Sequence, residues 1–358
     1  MTRVARAALA FGASLLAFAP VAAHAVGPIN VPTTGTGAGT GSTLDRTLTD
    51  PRIDEASGLV VSTLHPGVDY THNDSGDGPR LFAVGRDGRT RAVLTLRGAP
   101  ARDWEAISPG RAGTHAIWIG DIGDNLASWP SIRVYRIDEP RTLRTKNVAW
   151  TQYDLRFPDG SHDAESLLVD PRTGRLFIAS KKVEGAALYE APAVLSTTHV
   201  NVLHRVASAM PLATDGAFSP DARYYVLRGY IDAVVYDAAR PGHVVTTIDL
   251  PPQPQGEGVA WSPDGRSLLV GSEGNDSAIY RVALPASVTG IAATASPTRA
   301  SSPSPTTGQI APTGSDTSNA DSSGLPRRQL YWLAAAALVL IVLGWSLRSW
   351  AKRDEPES

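Results

Sequence analysis

The chain has 358 residues, no cysteine, and 33 Lys and Arg against 35 Asp and Glu, for a formal net charge of −2. The lack of cysteine excludes disulfides, thiolate nucleophiles and thiolate metal sites. The near balance of charge argues against a nucleic-acid partner, which would leave a basic stripe.

In chain order, Arg3 and Arg6 precede an uncharged stretch from Ala7 to Ala23, and Ala23-His24-Ala25 has the small-x-small form of a signal-peptidase site. Residues 1–25 are therefore expected to be an export signal outside the fold, and 26–41 a Gly/Thr-rich linker. Residues 42–284 are expected to be the folded domain. Residues 285–328 are dominated by Ser, Thr, Pro, Ala and Gly, too poor in large apolar groups to offset ordering entropy, and read as a stalk. Residues 329–347 are 19 positions without a charge, with Tyr331, Trp332, Trp345 and Trp350 placed as an aromatic belt. That length suits a membrane helix, leaving 348–358 as a cytoplasmic tail. Leu325-Pro326-Arg327-Arg328-Gln329 lacks the Thr-Gly of a sortase signal. The expected protein is single-pass in the cell membrane, with its domain outside.

Within the domain one phrase recurs: an acid, one or more small residues, a short apolar strand, then a Ser/Asp-Pro turn. It begins at Glu55, Glu105, Glu165, Asp215 and Glu257, spaced 50, 60, 50 and 42 residues, a period that suits four-stranded propeller blades. The strand patterns are Leu59–Ser62, Val68–His72, Arg80–Arg86 and Arg91–Arg97; then Ala106–Ser108, Ala116–Gly120, Arg133–Ile137 and Val148–Phe157. Ser166–Val169, Arg175–Ser180, Ala186–Glu190 and Asn201–Ala207 make a third set, and Ala217–Ser219, Tyr224–Arg228, Ala233–Tyr236 and Val244–Leu250 a fourth. The fifth copy has only Val259–Ser262, Ser267–Gly271 and Ala278–Val282. Its fourth strand is expected from Ser42–Thr49, which alternates apolar and polar residues and would close the ring. The fold class is all-β, a propeller of five four-stranded blades, with six as the alternative because the second repeat is long.

Ser262-Pro263-Asp264-Gly265-Arg266 resembles the inner hairpin turn of TolB-like and WD40-like propellers. Glu-Ala-Ser-Gly-Leu at 55–59, Thr71-His72-Asn73-Asp74-Ser75-Gly76, Asp103-Trp104-Glu105, Gly120-Asp121-Ile122-Gly123-Asp124-Asn125, Tyr135-Arg136-Ile137-Asp138-Glu139-Pro140 and Asp163-Ala164-Glu165 together resemble bacterial secreted propellers described as phytase-like or esterase-like. The resemblance implies hydrolysis only by fold analogy.

Propeller geometry puts residues before the first strand and after the second at one end of the channel. The binding candidates there are Glu55, Asn73, Asp74, Asp103, Glu105, Asp163, Glu165, Lys181, Lys182, Asp215, Arg228, Glu257 and Glu273, with Asp121, Asp124 and Asn125 as metal candidates. About ten acids facing three basic groups cannot all stay ionised without a cation. Ca²⁺ is expected first, Mg²⁺ or Mn²⁺ next. The structural alternative is that the repeat acids accept backbone N–H bonds and that Asp121 and Asp124 form Asx-turns. His72 and His162 read as satisfied polar residues, and Trp104 and Trp261 as packing residues. No Gly-x-Ser-x-Gly elbow and no His-x-His or His-Glu-x-x-His pair is present, so serine-esterase and zinc-hydrolase chemistry lack their parts. Two functions remain open: a surface binding module for an extracellular ligand or partner protein, or a metal-dependent hydrolase of phosphate esters or lactones.

Overall fold

The computed structural model describes residues 41–74 and 76–290. The expected export signal, the linker up to residue 40, the stalk beyond 290, the apolar segment 329–347 and the tail lie outside the described residues. Among those described, no helix is long and apolar enough to cross a membrane.

The strands form five sheets. β1 (Ser42–Thr47) comes first in the chain but belongs to the last sheet. Blade one is β2 (Ala56–Val61), β3 (Val68–Asn73), β4 (Arg80–Gly85) and β5 (Thr90–Thr95). Blade two is β6 (Trp104–Pro109), β7 (Ala116–Asp121), β8 (Ile132–Asp138) and β10 (Trp150–Arg156), with the two-residue β9 (Lys146–Asn147) between the last two. Blade three holds β11 (Ala164–Val169), β12 (Leu176–Ser180), β13 (Ala187–Glu190) and β15 (His204–Ser208), with β14 (Asn201–Val202) just before the last. Blade four is β16 (Asp215–Phe218), β17 (Tyr224–Arg228), β18 (Asp232–Asp237) and β19 (Val244–Asp249). Blade five combines β20 (Gly256–Trp261), β21 (Ser267–Ser272) and β22 (Ala278–Ala283) with β1.

Two corrections to the four-strand expectation follow from the short strands. β9 leaves blade two to pair in parallel with β5, and β14 leaves blade three to pair in parallel with β10, so blades one and two each gain a fifth strand. Each is a clasp from the next blade onto an outer edge, which removes unpaired edge groups there. Residues 286–289, expected in the stalk, form a one-turn helix α1 whose Val288 packs against blades four and five.

Ring closure is visible in the packing. Five apolar layers fill the gaps between neighbouring blades, such as Leu81, Leu94 and Tyr70 of blade one against Ile119, Ile137 and Tyr135 of blade two. The layer between blades five and one joins Leu269 and Ile279 to Leu59, Phe82 and Val93. Inner strands are packed on both faces, so β3, β7, β11 and β20 are buried along their whole length, whereas outer β19 and β10 are half exposed. Trp261 Nε1 donates to Ala217 O at 3.1 Å, linking blades five and four, and Trp104 is likewise buried in the layer between blades one and two.

β1 runs antiparallel to β22, from Ser42 opposite Val282 to Thr47 opposite Ala278. Side chains reinforce the join: Asp45 accepts from Arg281 at 2.9 Å, and Arg46 pairs with buried Asp69 of blade one at 2.8 Å. The borrowed-strand expectation therefore holds over 42–47. At the far end of the channel the inner turns surround a mainly apolar recess of about 460 Å³, lined by Val61, Ile107, Val169, Phe218 and Trp261 among others.

Candidate functional site

Bulges build the site. Pairing of β6 with β7 skips Glu105 between Trp104 and Ala106, and pairing of β11 with β12 skips Glu165 between Ala164 and Ser166. In β20 the skip falls between Gly256 and Val259 and includes Glu257. A bulged residue leaves the ladder and its side chain is re-aimed; here all three glutamates are buried. In blade one the shift comes one step later, between Ser57 and Val60, so Ser57, at the glutamates' place, stays paired with His72; blade four pairs without a shift and has Gly216 there. Three of five blades thus contribute a glutamate.

The same register sorts the other candidates. Immediately before the first paired residue stand Glu55, Asp103 and Asp163 in blades one to three, and Thr214 and Gln255 in the others. Immediately after the second strand's last paired residue stand Asp74, Lys181 and Glu273 in blades one, three and five. Glu55 is therefore the counterpart of Asp103 and Asp163, and Asp215 that of Trp104 and Ala164.

These residues converge on one acidic centre. One carboxylate oxygen from each of Asp74, Asp103 and Glu105 lies within 4.8 Å of the other two. Asp74 lies against Asp103, near enough for one carboxyl to donate to the other whenever either is protonated. Burial, then the charge of Asp74, pushes Asp103 up to about 8. Burial, with Asp74 and Glu165 next, raises Glu105 well above the usual range. Asn125 Nδ2 donates to Asp103 Oδ2 at 3.0 Å. A Cβ on Gly123 would overlap Glu105 Oε1 and stand 2.8 Å from Asp103 Oδ2, so glycine is what lets this loop approach the acids.

The other half of the centre surrounds Lys181, which is buried and donates to Glu165. Burial opposes its charge, but Glu165, Glu257 and Asp163 outweigh that and hold the ammonium well above its usual range. Burial pushes Glu257 up to about 7 despite Lys181 and Arg228, and burial followed by the charges of Glu257, Asp74 and Glu55 pushes Glu273 up to about 10. Glu165 Oε2, Glu257 Oε2 and Asp163 Oδ1 are buried without a hydrogen-bond partner. Orphaned carboxylate oxygens at that depth are costly unless something binds them.

Several candidates are engaged in hydrogen bonds that hold loops and blades together. Asp121 Oδ1 accepts the Arg102 and Asp103 amides at 3.1 and 3.0 Å, and its Oδ2 accepts Arg102 Nε at 3.0 Å and the Tyr135 hydroxyl at 3.2 Å. Asp124 caps the amides of Ser128 and Trp129 at 2.9 and 2.7 Å. Of the three expected metal residues Asn125 reaches the acidic centre with its side chain, and Asp124 meets it through its backbone amide, toward Asp163. Asp215 bonds the Gly216 and Val259 amides, both at 2.7 Å, tying blade four to blade five. Asn73 holds Arg52 O at 2.7 Å, Asp77 at 3.1 Å and Asp54 at 3.2 Å. Arg228, fully buried and pushed down to about 10 by burial, donates to Gly258 O, Gly271 O and Gln253 at 2.9, 2.6 and 2.8 Å. Lys182 is half-buried and gives its carbonyl to the Leu212 amide. His72 is buried, bonded to Asn73 O at 3.0 Å and pushed down to about 4 by burial; His162 pairs with Asp159 at 2.9 Å. Tyr230, absent from the sequence candidates, places its ring 5.5 Å from the Lys181 ammonium. Its signal was its place two residues after β17, beside the position that supplies Lys181 in blade three.

No protein-family model and no curated protein sequence matches the chain. Among solved structures it is similar to a gluconolactonase, XC5397 from Xanthomonas campestris, at 14% identity and TM-score 0.42, covering 67% of this chain and 88% of that one. It is similar to a luciferin-regenerating enzyme at 12% identity and TM-score 0.40, covering 65% and 79%. It also resembles the Pan2 WD40 domain of Neurospora crassa at 10% identity and TM-score 0.37, covering 67% and 95%. These neighbours are β-propeller proteins, and scores of this size carry neither an activity nor a substrate to this chain.

Proposed function

We propose that the acidic end of the channel is a divalent-cation centre, Ca²⁺ first, through which a membrane-anchored propeller holds an oxygen-rich extracellular ligand or partner. The observation that supports this is the trio Asp74, Asp103 and Glu105 within 4.8 Å, joined to buried carboxylates with orphaned oxygens. Hard oxygen donors suit calcium, magnesium or manganese, and the cation would supply charge neutralisation and a contact for ligand oxygens. Asp74, Asp103 and Glu105 would hold it, Asn125 orients Asp103, and Gly123 keeps the space open. Anchoring rests on the uncharged segment 329–347 and its flanking stalk.

A second reading, hydrolysis of a phosphate ester or lactone as in phytase-like or esterase-like propellers, is favoured by Glu257. A buried carboxylate pushed up to about 7 with one orphaned oxygen is poised to exchange a proton near neutral pH.

Purified protein stripped with EDTA is expected to gain several degrees in melting temperature with millimolar calcium, because a ligand that binds only the folded state stabilises it by mass action. Asp103→Asn should lose that gain while melting, without metal, no lower than wild type. Melting curves unmoved by calcium, magnesium and manganese alike would sink the cation centre. Turnover of phytate, a phosphomonoester or a simple lactone that Glu257→Gln abolishes would decide for the hydrolase.

A further inference from the structure

At the opposite end of the channel from the acidic centre, all five blades contribute to the apolar recess of about 460 Å³. That is the volume of a small-molecule pocket. The polar side chains in its lining are already partnered: Ser62 donates to Glu139, Thr63 Oγ1 lies 2.8 Å from both Glu139 and His115 Nδ1, Ser219 Oγ donates to Asp221 at 2.7 Å, and Trp261 Nε1 to Ala217 O at 3.1 Å. The interior therefore suits carbon.

Charge stands only at the rim. The turns between first and second strands carry Arg111, Arg172, Arg175, Arg223 and Arg266 against Asp170, Asp221 and Asp264, five formal positive charges to three negative. Arg175 and Arg223 are taken up by ion pairs, with Glu190 at 3.1 Å and Asp221 at 2.6 Å. Arg111 is exposed and its guanidinium bonds a carbonyl, Arg172 O at 3.0 Å, instead of a carboxylate. Its chain neighbours Gly110 and Ala112 both line the recess.

We infer that this recess is a ligand site separate from the acidic centre, for a small molecule whose compact apolar body enters between the blades and whose anionic head stays at the rim beside Arg111. An anionic head drawn inward would lose its water and meet no free donor, whereas at the rim it keeps its water and meets the surplus positive charge. A cationic head meets the same surplus as repulsion. Neither reading of the acidic centre enters this inference.

A matched pair of probes tests it: adamantane-1-carboxylate and adamantan-1-ammonium share one apolar cage and differ in the sign of the head. Full-length protein in lipid nanodiscs is titrated with each by calorimetry, with empty discs as the blank. The carboxylate is expected to bind saturably, one per chain and about fivefold or more tightly than the ammonium, a preference that shrinks in about 0.5 M NaCl. Arg111→Glu, an exposed change that leaves the lining intact, should weaken the carboxylate by about threefold or more. Val61→Trp, which fills the recess, should abolish binding of both probes. Absence of saturable binding, equal affinity for the two heads, a need for calcium, or binding that survives Val61→Trp would each overturn the inference. Should Val61→Trp fail to fold, Arg111→Glu decides, since unchanged affinity for the carboxylate would remove the head from this rim.

Discussion

Asp103 and Glu257 keep their protons at pH values where an ordinary carboxyl has lost them, because burial removes the water that would solvate the charge. Their folded pKa values, about 8 and about 7, lie above the ordinary 3.8 and 4.5, so the folded state binds more protons than the unfolded chain between those limits. The stability this contributes is complete below the ordinary values and is lost as pH rises through 7 to 8. Buried His72, pushed down to about 4, acts in the opposite sense below its ordinary 6.5, so the clean window is pH 6.5 to 8. In EDTA, the unfolding free energy from denaturant titrations is expected to fall across that window by about 1 kcal/mol or more, and saturating calcium should flatten the trend. A flat profile in EDTA would show that these carboxyls titrate normally. Residue identity alone could not separate the carboxylates of the acidic centre from caps here. Asp121 and Asp124 sit in a loop with the acid, amide and glycine content of a cation site, yet their oxygens are taken by backbone amides. The loop serves the centre through Gly123 and Asn125.

At the scale of elements, the blades were readable because each inner turn repeats a Pro and each strand set repeats in order. β9 and β14 were not, since a two-residue parallel clasp has no periodicity to detect. The bulges were hidden for a related reason: an extra residue in a wholly buried strand leaves no break in hydrophobicity. Aligning the repeats by their acids consequently placed Glu55 and Asp215 beside Glu105, Glu165 and Glu257, one or two positions away from their structural counterparts. The borrowed strand was legible because the fifth repeat's strand pattern stops after its third strand, where the Ser/Thr/Pro-rich segment begins. Deleting residues 41–47 should remove the β1–β22 ladder together with the Arg46–Asp69 and Asp45–Arg281 pairs. That costs about 3 kcal/mol or more, enough to lower melting by roughly 10 °C. A deletion variant that melts with wild type would mean the ring does not depend on this strand.

For the whole molecule, the place where the propeller works is to be tested on its flanking segments. If 1–25 is an export signal and 329–347 a membrane helix, an epitope near Ser315 is expected to be shaved by protease from intact cells while a C-terminal epitope is protected. The reverse pattern would place the acidic centre on the cytoplasmic side. The union of β1 with β22 also has a consequence in time. Asp45 and Arg281 meet across 236 residues of chain, so the strand synthesised first is the one that pairs last. Entropy of closing so long a loop grows only with the logarithm of its length, and the finished ring loses little by it. Speed suffers instead, because contacts between distant residues form late. Until β22 emerges the nascent blades form an open fan with an unpaired strand at each end. The interval between the first blade and the last is when a neighbouring chain could take the place reserved for β1.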